Sequence, residues 1–310
     1  VLGSFRLARQ STRRRLTVLD LPYRDRAALR ILLRAKVATT QHLTDLVYHR
    51  RQTTQLRLMR LWQGGFIERA VLPPLTRGGA PLVFRLSRRG RARLGYRPLR
   101  RAEAGMQLRH DLHVLDAVCA LARPDPRAPG GYPLTAWCTP AMSARFIDGV
   151  IPDALLALQL ETGSAVLALE VDEGTEHAPV IRAKLARYAE TLEGRENWHL
   201  LFVVSEAERG RWIARLVRGS DGLAGLGNRA WVTTIEGLRR RGLDAPIVAV
   251  ASSAVTAPLT KLCRSMPAGQ AAAPVGGDRW LRIMGSGAGE DFGTVFTCPP
   301  DPAVMRNDLG

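Results

Sequence analysis

Apolar residues recur along this chain with two periods, about 3.6 and about 2, and the switches between them mark out helices and strands. Residues 25–35 place Ala28, Leu29, Leu32 and Leu33 on one helical stripe. Thr39 or Thr40 stands at the N-cap position of a second helix, with Leu43, Leu46 and Val47 turned inward. A turn through His49 leads to a third helix, RRQTTQLRLMRLWQGG, whose apolar side is Leu56, Met59, Leu61 and Trp62 and whose stop is Gly64 with Gly65. Phe66–Leu72 and Leu82–Leu86 read as two strands around the turn PPLTRGGAP.

The pattern resumes with a helix over 106–122, with Leu108, Leu112, Leu115, Val118 and Cys119 inward, and then the loop RPDPRAPGGYP. A strand is expected at Leu134–Cys138. The runs IPDALLALQL and AVLALEVD, joined by Glu161–Ser164, predict a β-hairpin buried on both faces. A helix over 177–193 (Ile181, Leu185, Tyr188, Ala189 and Leu192 inward), a strand over 198–205, a helix over 206–218 and a strand at Ala230–Thr234 follow. Beyond about residue 255 the Ala-, Gly-, Pro- and Ser-rich sequence has no clean period and reads as a loosely ordered tail with one short strand. The resulting division is an arm over 1–20, a first domain over 21–100, a second over 104–250 and a tail over 251–310.

Charge sharpens this picture. The 310 residues, 46% hydrophobic, suffice for two cores, and no apolar run is long enough to cross a membrane. The net charge of +17 is concentrated: residues 1–110 hold 25 Lys+Arg against 5 Asp+Glu, a net of +20, and the remainder is slightly acidic. One basic module beside a near-neutral one is the footprint of a nucleic-acid binder. Three helices followed by a hairpin is the order of a winged helix-turn-helix, so the first domain is expected to bind duplex DNA. On the third helix, Arg50, Arg51, Gln52, Thr53, Thr54, Gln55 and Arg57 are expected to face the major groove, where Arg reads guanine, Gln reads adenine and Thr meets phosphate or a thymine methyl. Arg77 at the hairpin tip is placed for phosphate or the minor groove, and Arg88, Arg89, Arg91 and Arg93 for phosphates. The N-terminal sequence lacks a secretory core, and Cys119, Cys138, Cys263 and Cys298 have no zinc spacing, so a cytoplasmic protein with reduced thiols is expected.

The second domain carries acids in a suggestive arrangement. If a four-residue loop pairs Leu160 with Ala165, Asp153 lies opposite Asp172, and Asp153, Glu170 and Asp172 share one face of the hairpin. Converging carboxylates repel, so one takes a proton unless a cation arrives. A divalent ion answers this: Mg²⁺, with Mn²⁺ as substitute, takes oxygen ligands, polarises a phosphodiester and acidifies a bound water. The structural alternative is that Asp153 caps a strand start and Glu170 pairs with a nearby Arg. His110 and His113 at i, i+3, and Glu176, His177 and Arg182, are read as structural or surface residues.

Pro152-Asp153 followed by Glu170-Val171-Asp172 resembles the PD-(D/E)xK signature of the restriction-endonuclease-like fold, whose αβββαβ core matches the order of elements here. The resemblance implies that Asp153 and Glu170 hold the metal ion. It departs where the family has a lysine and this chain has Asp172. Lys184 on the following helix stands where some members carry that function, and with Tyr188 at i+4 it is similar to the QxxxY element of certain such nucleases; pairing of Lys184 with Glu170 is the structural alternative. Over roughly 25–235, the basic winged helix, His110, Asp153-Ala154, LEVDEGTE and KLARYAE resemble the bacterial replication-relaxation family of plasmids and integrative elements. That implies a DNA-binding protein, plasmid- or nucleoid-associated, working with other replication or transfer proteins. Two functions stay open: a Mg²⁺-dependent endonuclease or nickase, or a non-catalytic initiator, accessory factor or regulator on a nuclease-like scaffold, the latter serving also as a homodimer platform.

Overall fold

The computed structural model describes residues 21–71, 82–94, 107–144, 146–218, 223, 226, 229–250 and 256–263. The arm over 1–20, Arg77 and its turn, Cys298 and most of the tail lie outside the described residues. The chain divides into two compact units, 1–119 and 120–310, with the boundary inside a helix near its C-terminal end. It is a mixed α+β protein with one small and one large sheet. Among the described residues, no helix is long and apolar enough to cross a membrane.

In the first unit, α1 (Tyr23–Ala35) buries Ala28, Leu29, Ile31, Leu32 and Ala35, while Leu33 sits at the margin of its apolar face. Strand β1 (Ala38–Thr39) leads into α2 (Thr40–Leu43), which Thr39 caps by accepting from the His42 amide. A π-turn over Thr44–Tyr48 ends at His49 in the left-handed region, and α3 (Arg51–Gln63) follows. Strands β2 (Ile67–Val71) and β3 (Leu82–Leu86) pair antiparallel, and β1 adds to β3 to give the order β1-β3-β2. A short α4 (Arg88–Arg93), capped by Ser87, closes this part, and α5 (Gln107–Leu121) runs to the unit boundary.

The orientation of α3 differs from the expected one. Its buried residues are Thr54, Leu58, Leu61 and Trp62, spaced as a single helical stripe, and Leu56 and Met59 point outward at 63% and 43% exposure. Thr54 faces the core because its hydroxyl is satisfied there: it donates to the Arg50 carbonyl and accepts from Thr44. Arg57 follows it inward. Its Nε donates to Oδ1 of the buried Asp25 at 2.9 Å, a second guanidinium nitrogen reaches Oδ2, and Tyr48 donates to Oδ1 at 3.0 Å. The major-groove placement expected of Thr54 and Arg57 is therefore corrected.

The second unit is built on a seven-stranded mixed sheet of order β10-β9-β8-β7-β6-β5-β4. After the loop, β4 (Leu134–Cys138) and the short α6 (Pro140–Ser143) lead to the hairpin β5 (Ala154–Leu160) and β6 (Gly163–Asp172). Two crossovers follow: α7 (Ala178–Leu192) to β7 (Trp198–Val204), and α8 (Ala207–Arg218) to β8 (Ala230–Thr234), making β6, β7 and β8 parallel neighbours. Then α9 (Ile235–Arg241), β9 (Pro246–Ala249) and β10 (Thr256–Pro258) complete the sheet. On one face Leu155, Ala168, Leu200 and Phe202 pack against Ile181, Leu185 and Tyr188 of α7 and Ile213 of α8. Leu156, Leu167, Leu169, Leu201 and Val203, which point to the other face, are buried as well, as strands with both sides covered require.

The hairpin register is shifted from the expected one by two residues: Leu160 pairs with Gly163, leaving a two-residue turn at Glu161-Thr162. Gly163 at φ 138° makes the earlier turn attainable. A slip of two preserves which face each side chain occupies. It moves Asp153 from opposite Asp172 to the level of Glu170, and the Asp153 amide donates to the Leu169 carbonyl.

Replacing Asp25 by Ala strips the acceptor from Arg57 and Tyr48. With Arg57 partly exposed, a loss of about 2 to 3 kcal/mol is expected, read as an earlier midpoint in urea unfolding followed by circular dichroism. An unchanged midpoint would show that the cluster does not hold the three helical segments together.

Candidate functional site

Strand β6 carries Glu170 and Asp172 on the face covered by α7 and α8, at the end of an apolar run. Glu170 is 2% exposed. Lys184, on α7, donates to Glu170 Oε2 at 2.9 Å, and Tyr188, one turn on, donates to Oε1 at 2.5 Å. The i, i+4 spacing delivers both groups to the same carboxylate. Lys184 also donates to both carboxylate oxygens of Glu176, at 3.0 and 3.1 Å. Asp153 Oδ2 accepts from the Val171 amide at 2.8 Å, which ties the approach to β5 onto β6.

Asp172 turns elsewhere. Its Oδ1 accepts from the Gly174 amide at 2.6 Å, a local turn that Gly174 permits at φ +80°. Its Oδ2 accepts from Arg209 Nε at 2.9 Å. Arg209, on α8, lies over the Trp212 ring at 3.9 Å and donates to the Glu176 carbonyl at 2.5 Å. The segment EVDEGTE is thus a clasp: its acids at 170, 172 and 176 are gripped by one cation from each covering helix.

The electrostatics follow from burial. Loss of water pushes the Glu170 carboxyl up to about 7, the charge of Asp153 adds to the rise, and Lys184 and Tyr188 pull against it. Burial disfavours the charge on Lys184, but Glu170 and Glu176 outweigh it and hold the ammonium above the ordinary lysine range. Burial, then Glu170, raises the Tyr188 phenol, so it remains a donor.

Of the expected catalytic residues, the fold brings Asp153, Glu170, Lys184 and Tyr188 together, and it commits Asp172 to Arg209. Pairing of Lys184 with Glu170 is observed, which was the structural alternative. A hard divalent cation needs open carboxylate oxygens in a common cavity. Here both Glu170 oxygens and both Asp172 oxygens already accept from protein donors. Among the described residues, no group of three or more His, Cys, Asp or Glu side chains is placed to hold a metal ion. As arranged, the oxygens of Glu170 and Asp172 are engaged by protein donors rather than held open toward a common cation. His110 and His113 lie on α5 in the first unit, His177 stands at the N-cap of α7, and Arg182 is exposed. Arg209 and the clamping role of Glu176 were not read from the sequence. Arg209 lies 37 residues from Asp172, and only the crossover through β7 brings them together.

The second candidate surface is the outward side of α3. Arg50, Arg51, Gln52, Gln55 and Arg60 are exposed, Thr53 is half-buried, and Arg88 and Arg89 of α4 are exposed. Arg89 lies over the Phe66 ring at 4.8 Å and Arg69 over the Trp62 ring at 3.6 Å, so both rest their guanidinium planes on aromatic faces.

Among known proteins, the sequence model of the replication-relaxation family matches residues 29–202, more than half of the chain, from within α1 to the fifth residue of β7. No curated protein and no solved structure matches.

The raised Glu170 carboxyl has a signed consequence. Between about pH 4.5 and 7 the folded chain holds a proton there that the unfolded chain has lost. Its contribution to stability is therefore complete below that window and is lost as pH rises through it, by on the order of 3 kcal/mol. Glu170→Gln is expected to flatten this part of the stability–pH curve, measured by urea unfolding at several pH values. Parallel curves for the two proteins would contradict the assignment.

Proposed function

The chain belongs to the replication-relaxation family, and on that premise we propose that it binds double-stranded DNA in the replication or relaxation of a plasmid or integrative element. In this reading the first unit is a winged helix-turn-helix, and the second is a restriction-endonuclease-like scaffold whose acid cluster is a structural clasp. The observation that carries the DNA reading is the exposed basic and amide-bearing side of α3, within a segment of net charge +20. A helix of that kind supplies donors to base edges, and the surrounding Arg residues neutralise phosphates. Arg88 and Arg89 on α4 extend the basic surface.

The scaffold reading is supported by the order α5, β4, β5, β6, α7, β7, which parallels the αβββαβ core, together with the filled acceptors of Glu170 and Asp172. Lys184 and Arg209 occupy the oxygens that a nuclease would reserve for its metal ion. Their work is to fasten the 173–176 loop and the two covering helices to the end of β6.

Two measurements test this. Duplex affinity should fall linearly with salt on a log–log plot, with slope about −0.9 per phosphate neutralised. The double variant Arg51→Ala, Arg60→Ala should weaken binding at every sequence and lower that slope by about 2; identical curves for variant and parent would remove α3 from the interface. Supercoiled plasmid incubated with the protein and Mg²⁺ or Mn²⁺ should stay supercoiled. Nicking that disappears in Asp153→Ala would overturn the scaffold reading and establish the metal-dependent nuclease.

A further inference from the structure

The outward side of α3 has a chemistry that the count of arginines conceals. Gln52, Leu56, Met59 and Gln63 recur at i, i+4, i+7 and i+11, a single line along the helix opposite the buried Thr54, Leu58, Leu61 and Trp62. All four are exposed, Leu56 at 63% and Met59 at 43%. Gln55 borders this line on one side and Arg60 on the other. The line itself carries no charge. Arg57, the one basic residue between Arg51 and Arg60, is drawn inward onto Asp25.

Base edges in the major groove are chemically distinct. A carboxamide pairs with adenine through N6 and N7, an apolar side chain contacts the thymine methyl, and guanine calls for an Arg or Lys donor. Resting on the reading of α3 as a duplex-binding helix, we infer that its central stripe selects A·T base pairs, with Gln52 and Gln55 addressing adenine and Leu56 and Met59 covering thymine methyls. Arg60 and the basic residues at the helix N-terminus hold the backbone on either side. Charge complementarity commits the surface to DNA: two large apolar side chains sit amid a segment of net charge +20, where a phosphate-lined groove is the matching partner. The inward pairing of Arg57 is part of the specificity, because it withdraws the donor that would otherwise favour guanine at the middle of the helix.

The test uses the full chain and a randomised duplex pool at fixed salt. Selected sites should share a core dominated by A·T pairs. Replacing the thymines of that core with uracil removes only the C5 methyl and should weaken binding severalfold. Leu56→Ala should narrow the thymine-to-uracil difference, leaving the share that Met59 contributes, while keeping the parent's salt slope. Gln52→Ala should lower the preference for the selected core over a G·C core by roughly tenfold. Both side chains are exposed, and each variant is checked for folding by circular dichroism. A G·C core, or equal affinity for thymine and uracil sites in the parent, overturns the inference and leaves duplex binding standing. Failure to select any duplex overturns the underlying reading instead. If Leu56→Ala alters self-association but not the thymine-to-uracil ratio, the stripe is a contact between copies and the inference fails.

Discussion

A carboxylate withdrawn from water has to meet its counter-charge inside the fold, and each unit of this protein is organised around one that does. Asp25 is gripped by Arg57 and Tyr48; Glu170 is gripped by Lys184 and Tyr188. Each trio joins an acid, a cation and a phenol. Removing an ion from water costs several kcal/mol, and only a full set of hydrogen bonds and an opposite charge offset it. The geometry is therefore demanding, and it fixes how the participating elements sit. In the first unit it sets the rotation of α3 against α1 and the π-turn. In the second it ties α7 to β6, while Asp172 with Arg209 does the same for α8.

These locks decide what each surface offers. Because Arg57 is spent on Asp25, the exposed face of α3 presents amides and apolar side chains between arginines rather than a continuous basic strip. Because Lys184, Tyr188 and Arg209 fill the acceptors of Glu170 and Asp172, an acid cluster that reads as a metal centre along the chain is neutral-seeking in space. The proposed role, recognition of DNA by α3 on a structural scaffold, rests on these two surfaces.

Much of the fold was legible because its elements are long and periodic. The helices α1, α3, α5, α7 and α8 and the strands β2 to β8 stand within a few residues of their expected positions. The short elements β1, α4, α6, α9 and β9 were not marked, since a few residues carry no measurable period. The facing of α3 is not set by apolar character alone: Leu61 and Trp62 are buried as their pattern predicts, but Leu56 and Met59 are not. Thr54, a polar residue, is inside because two local partners satisfy its hydroxyl, and Leu56 and Met59 are outside. In the site, alternation put Asp153, Glu170 and Asp172 on one face even with the register off by two, since a two-residue slip leaves the facing intact. What alternation does not carry is the cation arriving from another element. Lys184 was within reach of a local reading; Arg209, brought in by a parallel crossover, was not.

A structure of the chain bound to a duplex tests the assignment of α3 most directly. Expected is α3 in the major groove, with Gln52 and Leu56 against base edges and Arg57 still on Asp25. DNA held on another surface, or Arg57 released from Asp25 onto a base or phosphate, would contradict it.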